Sequence, residues 1–323
     1  MLSNILHKIV RKPVYLLGTI IVINIICILL LGSIIEFKVK VDENNEFIKT
    51  TKISPVTELM VKSSRLQSKK MAELTCLTID LADKTNKMNT HQTGGFCLPV
   101  GDAKKLATHY PFDTKLATAT ANNCFLDGKS NFTVTDLGAG PGHYGKFWLF
   151  RNAISGYRGL DAGGNVEIIS NGIVDWTDLT EPLEQQWHLI SNRNSFNAQY
   201  FWTESNSRPQ DETQAYLHTT DWVVSLEVLE HVPPHKESIV VENILKLTQN
   251  GIILSWAIPR QGGVSHINEK PNSYVLELFV EKLGFKYCRN VSDRLRINSQ
   301  LPWFKNTIFV FTKQEIYKGF ECN

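Results

Sequence analysis

Thr133-Val-Thr-Asp136-Leu-Gly138-Ala-Gly140-Pro-Gly142-His-Tyr-Gly145 is the stretch on which the reading of this chain turns. It reads as a short strand, a turn with three alternate glycines, and the start of an amphipathic helix. Glycines in such a turn take left-handed dihedrals and let the backbone run close to a ligand, where a Cβ would not fit. The helix that follows offers free N–H groups and the positive end of its dipole. The stretch therefore marks a place to lay a nucleotide-like cofactor across the carboxyl ends of a parallel sheet.

Two cofactors fit that description. Gly140-Pro-Gly142-His-Tyr-Gly145 has the spacing G-x-G-x-x-G, the dinucleotide pattern, and Asp161 stands about 20 residues on as a ribose-binding acid. Yet an acid also stands two residues before the first glycine, giving Asp136-x-Gly138-x-Gly140-x-Gly142. That arrangement resembles motif I of the class I S-adenosyl-L-methionine (SAM)-dependent methyltransferases. A carboxylate there suits the cationic amino end of methionine and is a poor neighbour for a pyrophosphate.

The segments that follow favour the methyltransferase resemblance. Tyr157-Arg-Gly-Leu-Asp161 looks like a second strand ending in an acid placed for ribose hydroxyls. Gly172-Ile-Val-Asp175-Trp-Thr-Asp178-Leu179 resembles the family's third strand, whose terminal acid meets the adenine amine. Asp221-Trp-Val-Val-Ser-Leu-Glu227-Val-Leu-Glu230-His231-Val-Pro resembles its fourth strand and the loop after it, and Gly251-Ile-Ile-Leu-Ser-Trp-Ala reads as a buried fifth strand. Gly284-Phe-Lys-Tyr-Cys and Trp303-Phe-Lys-Asn-Thr-Ile-Phe-Val-Phe resemble the antiparallel pair that closes this sheet. The resemblance runs from about Val134 to Thr312, with Ala139 where many relatives carry Cys. It implies an α/β fold, a three-layer Rossmann-like sheet of seven strands with the last antiparallel. It also implies SAM as cofactor, held by Asp136, Gly138, Gly140, Gly142, Asp161, Asp178 and Glu227.

Catalytic groups are expected after strands four and five. A three-residue spacing puts Glu227 and Glu230 on one side of a helical segment, with His231 adjacent. Two carboxylates and an imidazole are a donor set for Mg, Mn or Zn. The E-x-x-E-H pattern is similar to that of the small-RNA 2′-O-methyltransferases and the ubiquinone-pathway O-methyltransferases, where it serves a metal. Metal-free relatives also carry Glu-His here, with the acid packed near the cofactor. His266, in the loop after strand five, reads as a fourth ligand or a general base. The catalytic set is thus His266, His231 and Glu230, and the metal set Glu227, Glu230, His231 and His266. Ser255-Trp-Ala-Ile-Pro259 lacks the Asn/Asp-Pro-Pro-Tyr/Phe pattern that resembles methylation of base or glutamine nitrogens, which points to an oxygen acceptor.

Composition bounds the rest. The chain has 323 residues and a net charge of only +2, so no global field draws nucleic acid, and none is expected as a partner. Val14 to Ile35 carries no charge and would span about 33 Å as a helix, enough to cross a bilayer. Lys8, Arg11 and Lys12 precede it without an acid, and the charges after it nearly cancel, so the positive-inside rule puts residues 1–13 in the cytoplasm. The expected organisation is a cytoplasmic tail (1–13), a signal anchor (14–35), a stem (36–93) and a methyltransferase domain (94–323). A single-pass type II protein of the endoplasmic reticulum or Golgi follows, its catalytic domain lumenal. Its acceptor would be a glycan, a lipid or a small molecule. A cleaved signal peptide is the rival for the apolar segment.

An oxidising lumen lets Cys76, Cys97, Cys124, Cys288 and Cys322 form two disulfides and leave one thiol, with the pairing open. Asn131-Phe-Thr and Asn290-Val-Ser are glycosylation sequons. A helix is expected from Ser54, as a stem or lying on the domain, and another over residues 103–121, leading into the sheet as a lid over a cofactor would. Residues 185–220 show no period and read as an insertion. Two other function classes stay open: a nicotinamide-binding oxidoreductase and a non-catalytic lumenal binding module.

Overall fold

Strand β1 (Thr133–Leu137) is buried on both faces, with only its first residue partly exposed, as a parallel strand covered by helices on two faces must be. The computed structural model describes residues 63, 66–74, 76, 96–97, 110–125, 131–183, 186, 219–313 and 322. In it β1 pairs in parallel with β2 (Gly156–Asp161) on one side and β4 (Thr220–Ser225) on the other. Beyond β2 lies β3 (Val174–Trp176), and beyond β4 lies β5 (Thr248–Ser255), both parallel. The edge is closed by β7 (Ile308–Thr312), antiparallel to β5, and β6 (Lys286–Tyr287), antiparallel to β7. The order β3-β2-β1-β4-β5-β7-β6 fits the Rossmann-like methyltransferase sheet that the sequence implies.

Alternation along the strands sorts side chains to two cores. Trp222, Val224, Ile253, Ile308 and Val310 share one face with Leu116, Trp148, Val291 and Leu295. Those last four come from helices α1 (Thr114–Cys124), α2 (His143–Phe150) and α4 (Arg289–Asn298). Val223, Ile252, Leu254, Phe309 and Phe311 face the other way, against Val240, Ile244 and Leu247 of α3 (Glu237–Leu247). Each such side chain, fully buried, contributes about 1.5–3 kcal/mol, so the three-layer core is what fixes the loops at the strand ends.

The helix expected over residues 103–121 begins at Thr114 instead. Pro111 interrupts the pattern, and Asp113 caps the helix by accepting the Leu116 N–H at 2.8 Å; residues 103–109 lie outside the described residues. Part of the segment read as a stem lies on the domain: Ala72 and Cys76 are buried, and Ala72 joins the small core around Val174 and Trp176. All described residues belong to one compact unit, Ile53–Asn323. Cysteines pair 76 with 97 and 288 with 322, leaving Cys124 as a buried thiol. The first bond crosses the boundary drawn at Gly94. Among the described residues no helix is long and apolar enough to cross a membrane; Val14 to Ile35, and nearly all of 185–220, lie outside them.

Candidate active site

A cavity of about 740 Å³ opens where β1, β2, β4 and β5 end. Its floor is the glycine turn. Gly138, Gly140 and Gly142 have φ of +81°, +52° and +73°, the left-handed region the sequence demanded. Space is as strict as angle, since a Cβ on Gly138 would lie 2.2 Å from a Val228 methyl. The third glycine of the G-x-G-x-x-G spacing acts at a distance. A Cβ on Gly145 would fall 2.1 Å from the Tyr157 ring, so its absence lets α2 pack on that ring, whose hydroxyl donates to Asp136 Oδ2 at 2.9 Å. One glycine on α2 thus helps position the acid on β1 through a tyrosine of the neighbouring strand β2.

Asp136 and Asp161 both line the cavity. Burial pushes the Asp136 carboxyl up to about 7; the Tyr157 hydrogen bond pulls it down and the Asp161 charge adds to the rise. Asp161 accepts the N–H of Gly140 at 2.8 Å and of Gly163 at 2.6 Å. Burial raises its carboxyl too, against those two hydrogen bonds. Ala162 and Leu179 continue this wall.

Asp178 departs from expectation. It does not line the cavity; its carboxylate accepts the N–H and hydroxyl of Thr180 at 2.9 and 2.7 Å. Both bonds fall on Oδ1, so one oxygen of this aspartate is committed to its own turn. Gly142 likewise stands behind the lining as the cap of α2.

The opposite end is built on the β4 loop. Glu227 has φ +56°, a conformation that a non-glycine residue holds at a cost of about 1–3 kcal/mol. Ser255 secures it: its Oγ accepts the Glu227 N–H at 2.7 Å and donates to Oε1 at 2.8 Å. Burial lifts Glu227 to about 7, with the Ser255 hydroxyl opposing. Glu230 is fully buried behind the cavity lining; neither carboxylate oxygen has a well-formed hydrogen bond, and the Glu227 carboxyl and Ala257 backbone are its polar neighbours. Burial, then the Glu227 charge, drives its carboxyl well above the usual range.

Glu230, His231 and His266 place one ligand atom each within 4.8 Å of one another. His231 Nδ1 lies 3.2 Å from the Ser265 carbonyl, and His266 Nδ1 lies 3.1 Å from Glu269 Oε1. With both Nδ1 atoms engaged, Nε2 is the free nitrogen of each ring. Burial, reinforced by His266, lowers His231 to about 4 and keeps it neutral. The expected four-residue metal set is thus a convergent three, with Glu227 held beside it by Ser255. Ser265 at φ +59° and Gly263 shape the loop; a Cβ on Gly263 would meet the His266 ring at 2.2 Å. His143 lines the cavity against Phe112, and His235 is exposed.

Two walls escaped the sequence reading, Phe96 and Leu301 to Phe304; a third, Tyr110 to Phe112, falls in the segment 103–121 expected over the cofactor, but as a stretch before the helix and not as part of it. Asp113 ties the latter two, accepting from the Ser299 hydroxyl and from the N–H groups of Gln300 and Leu301 at 2.5, 2.7 and 2.9 Å. The signal available was Pro111-Phe-Asp113-Thr, a helix-start pattern placed too early in the chain.

No family model matches the chain, and no curated protein matches it. Solved structures do. Magnesium protoporphyrin IX methyltransferase from Synechocystis PCC 6803, with bound SAM, is 15% identical over 61% of this chain and 76% of its own, with a TM-score of 0.34. The methyltransferase domain of a bacterial Hen1 is 14% identical over 61% and 98%, with a TM-score of 0.36. An O-methyltransferase family protein from Burkholderia thailandensis is 10% identical over 65% and 56%, with a TM-score of 0.38.

Proposed function

We propose that this chain is a SAM-dependent methyltransferase acting on an oxygen. The observation that carries the reading is a carboxylate, Asp136, buried in the floor of a cavity whose turn holds three left-handed glycines. A pyrophosphate laid on that turn would meet the acid's charge; an ammonium would be paired by it. SAM, when bound, supplies an electrophilic methyl on a sulfonium. Asp136 would take the methionine ammonium and Asp161 the ribose hydroxyls, each already oriented by its own hydrogen bonds. The protein's part in transfer is chiefly alignment of an acceptor oxygen.

Glu230, His231 and His266 would hold a divalent ion, Mg, Mn or Zn. The orphaned Glu230 carboxylate is the fit test: a buried acid without a partner is costly unless a proton or a cation meets it. Such an ion would lower the pKa of an acceptor hydroxyl. The His266–Glu269 pair favours a second, metal-free route, in which Glu269 orients His266 to accept the hydroxyl proton.

The acceptor reading is a glycan, lipid or small molecule without charge. Among the described residues that line the cavity there are three carboxylates and no lysine or arginine, while Phe112, Pro302, Trp303 and Phe304 form an apolar wall. A type II membrane protein with its catalytic domain in the lumen of the endoplasmic reticulum or Golgi remains our reading of the N-terminal segment. Two disulfides in so small a set of cysteines support an oxidising compartment.

Calorimetry on the full chain in detergent, titrated with SAM, its demethylated product and NAD, tests the assignment. Binding of both sulfur ligands is expected; tight NAD binding without SAM would overturn it. Protease protection of sealed microsomes tests the topology, and a C-terminal tag digested without detergent would reverse it.

A further inference from the structure

Two segments upstream of the sheet converge on the loop after β2, and the methyl-transfer chemistry leaves them unused. A Cβ on Gly164 would lie 2.4 Å from the Ala72 carbonyl oxygen and 3.0 Å from Cys76 Sγ. A Cβ on Gly163 would meet the Phe96 carbonyl oxygen at 2.6 Å. The Gly163-Gly164 pair is therefore required by chain that passes directly over it. Lys69 adds an ion pair to Glu167, two residues past that loop's asparagine, and the Cys76–Cys97 disulfide joins the two upstream segments to each other.

The consequence falls on Phe96. Its ring lines the cavity and stands edge-on to His231, with centroids 4.8 Å apart. Its carbonyl abuts Gly163, whose N–H donates to Asp161. One aromatic residue thus bridges the ribose-side acid and the β4-loop histidine, the two ends of the cavity. Its position is set from outside the sheet, by a covalent link to a helix that rests on the same loop.

We propose that Phe96 is a cofactor-contacting residue, packing on SAM between Asp161 and His231, and that the Cys76–Cys97 disulfide is what holds it there. The inference rests on the SAM reading above. The cross-link removes much of the freedom that a free segment would lose on closing over a ligand, so the wall is formed before the cofactor arrives. Opening the bond takes two electrons and yields two thiols, and Phe96 then has to be ordered by the ligand itself.

The test uses SAM as ligand and the full chain in detergent, with Kd from calorimetry and folding followed by circular dichroism. Phe96→Ala is expected to raise Kd about tenfold, from lost apolar burial, with Phe96→Leu recovering part of it. Cys76→Ser/Cys97→Ser, and the wild type after reduction with an added phosphine, should show a rise of similar size. Cys288→Ser/Cys322→Ser, which opens the distant disulfide, should stay within about twofold and so separates the two bonds that the phosphine cleaves. An unchanged Kd in Phe96→Ala, or in the folded Cys76→Ser/Cys97→Ser protein, overturns the proposal. Oxidised wild type that binds no SAM overturns the cofactor reading itself, and the Phe96 assignment with it.

Discussion

The two ends of the cavity hold buried carboxylates under opposite conditions. At the β1–β2 end, Asp136 has the Tyr157 hydroxyl, and Asp161 has the N–H groups of Gly140 and Gly163. At the β4 end, Glu227 is held by one serine in a left-handed conformation, and Glu230, buried behind the cavity lining, has no well-formed hydrogen bond to either carboxylate oxygen and lies against the Glu227 carboxyl. A satisfied carboxylate can meet a polar ligand with little rearrangement. An orphaned one costs several kcal/mol as an anion, so it waits either for a proton or for a cation. On the proposed reading, the first end would recognise the cofactor and the second would carry the chemistry.

The largest effect should come from breaking the second end. Glu230→Ala and His231→Ala are each expected to lower methyl transfer by about 10²–10⁴-fold, with the Kd for SAM nearly unchanged. Transfer of labelled methyl to a mixed membrane and glycan extract reads the first quantity, and calorimetry the second. A chelator should mimic both variants, and the Mn²⁺ resonance signal should titrate onto the wild type but not onto them. Full activity in chelator would hand the chemistry to His266 and Glu269, and SAM affinity that fell in step with turnover would erase the contrast between the ends.

Breaking the first end should act on binding. Asp161→Ala removes the acceptor for two backbone N–H groups as well as the proposed ribose contact, and should weaken SAM by roughly 1–3 kcal/mol. Gly138→Ala adds a Cβ at φ +81° against Val228, and should cost about 1–3 kcal/mol of stability besides affinity. Thermal unfolding with and without SAM separates the two effects. An Asp161→Ala protein with wild-type affinity would show that the β2 acid serves only the turn.

The first end was the more legible of the two, for a physical reason. Its residues follow one another along a strand, a turn and a helix, so Asp136, Gly138 and Gly140 are local in sequence, and the demand for positive φ leaves a glycine signature. Strand β5 was legible because burial on both faces makes a continuous apolar run, Gly251 to Ala257, while the short edge strands β3 and β6, Val-Asp-Trp and Lys-Tyr, were placed only by family resemblance. The second end was legible as residue types but not as geometry. No pattern in Glu227-Val-Leu-Glu230-His231 says that Ser255 takes the first acid, or that Ser265 and Glu269 orient the two histidines. Of the aromatic walls, only the segment holding Phe112 was expected over the cofactor, as part of a helix; Phe96 and Trp303 were missed. Phe96, Phe112 and Trp303 come together only through a disulfide and through Asp113, and contacts of that range leave no period to read.

Proton linkage sharpens the comparison further. Burial raises the Asp136 carboxyl to about 7, above its ordinary value of 3.8, and it faces the Tyr157 hydroxyl and the Asp161 charge. Between those values the folded protein binds more protons at this site than the unfolded chain. Its contribution to stability is therefore present below pH 4 and declines as pH rises towards 7. Binding an ammonium should reverse the sign, since it favours the ionised acid. SAM affinity is expected to increase from pH 6 to pH 8, with net proton release detectable as a buffer-dependent heat. Asp136→Asn should remove the slope along with much of the affinity. A flat profile in the wild type would mean that the ammonium is held elsewhere.

The smallest expected effect is also the most discriminating about how far resemblance reaches. By sequence, Asp178 ends the third strand where the family's acid meets adenine, yet in the fold its carboxylate closes on Thr180 and its N–H donates to Gln186. The cavity wall nearest to it is Leu179, an apolar surface that suits the flat face of a base but offers no acceptor to its amine. Burial raises the Asp178 carboxyl, with the Thr180 hydrogen bonds opposing, so the acid is settled in its turn without a ligand. Asp178→Ala should then cost about 1 kcal/mol of stability for the lost turn, while SAM affinity stays within about twofold, an amount smaller than one hydrogen bond. Asp178→Asn, which keeps an oxygen for Thr180, should restore most of the stability. A tenfold loss of SAM affinity in the folded Asp178→Ala protein would show that the turn opens to admit adenine, and that the acid at this end, like the one on β4, is completed only by its ligand.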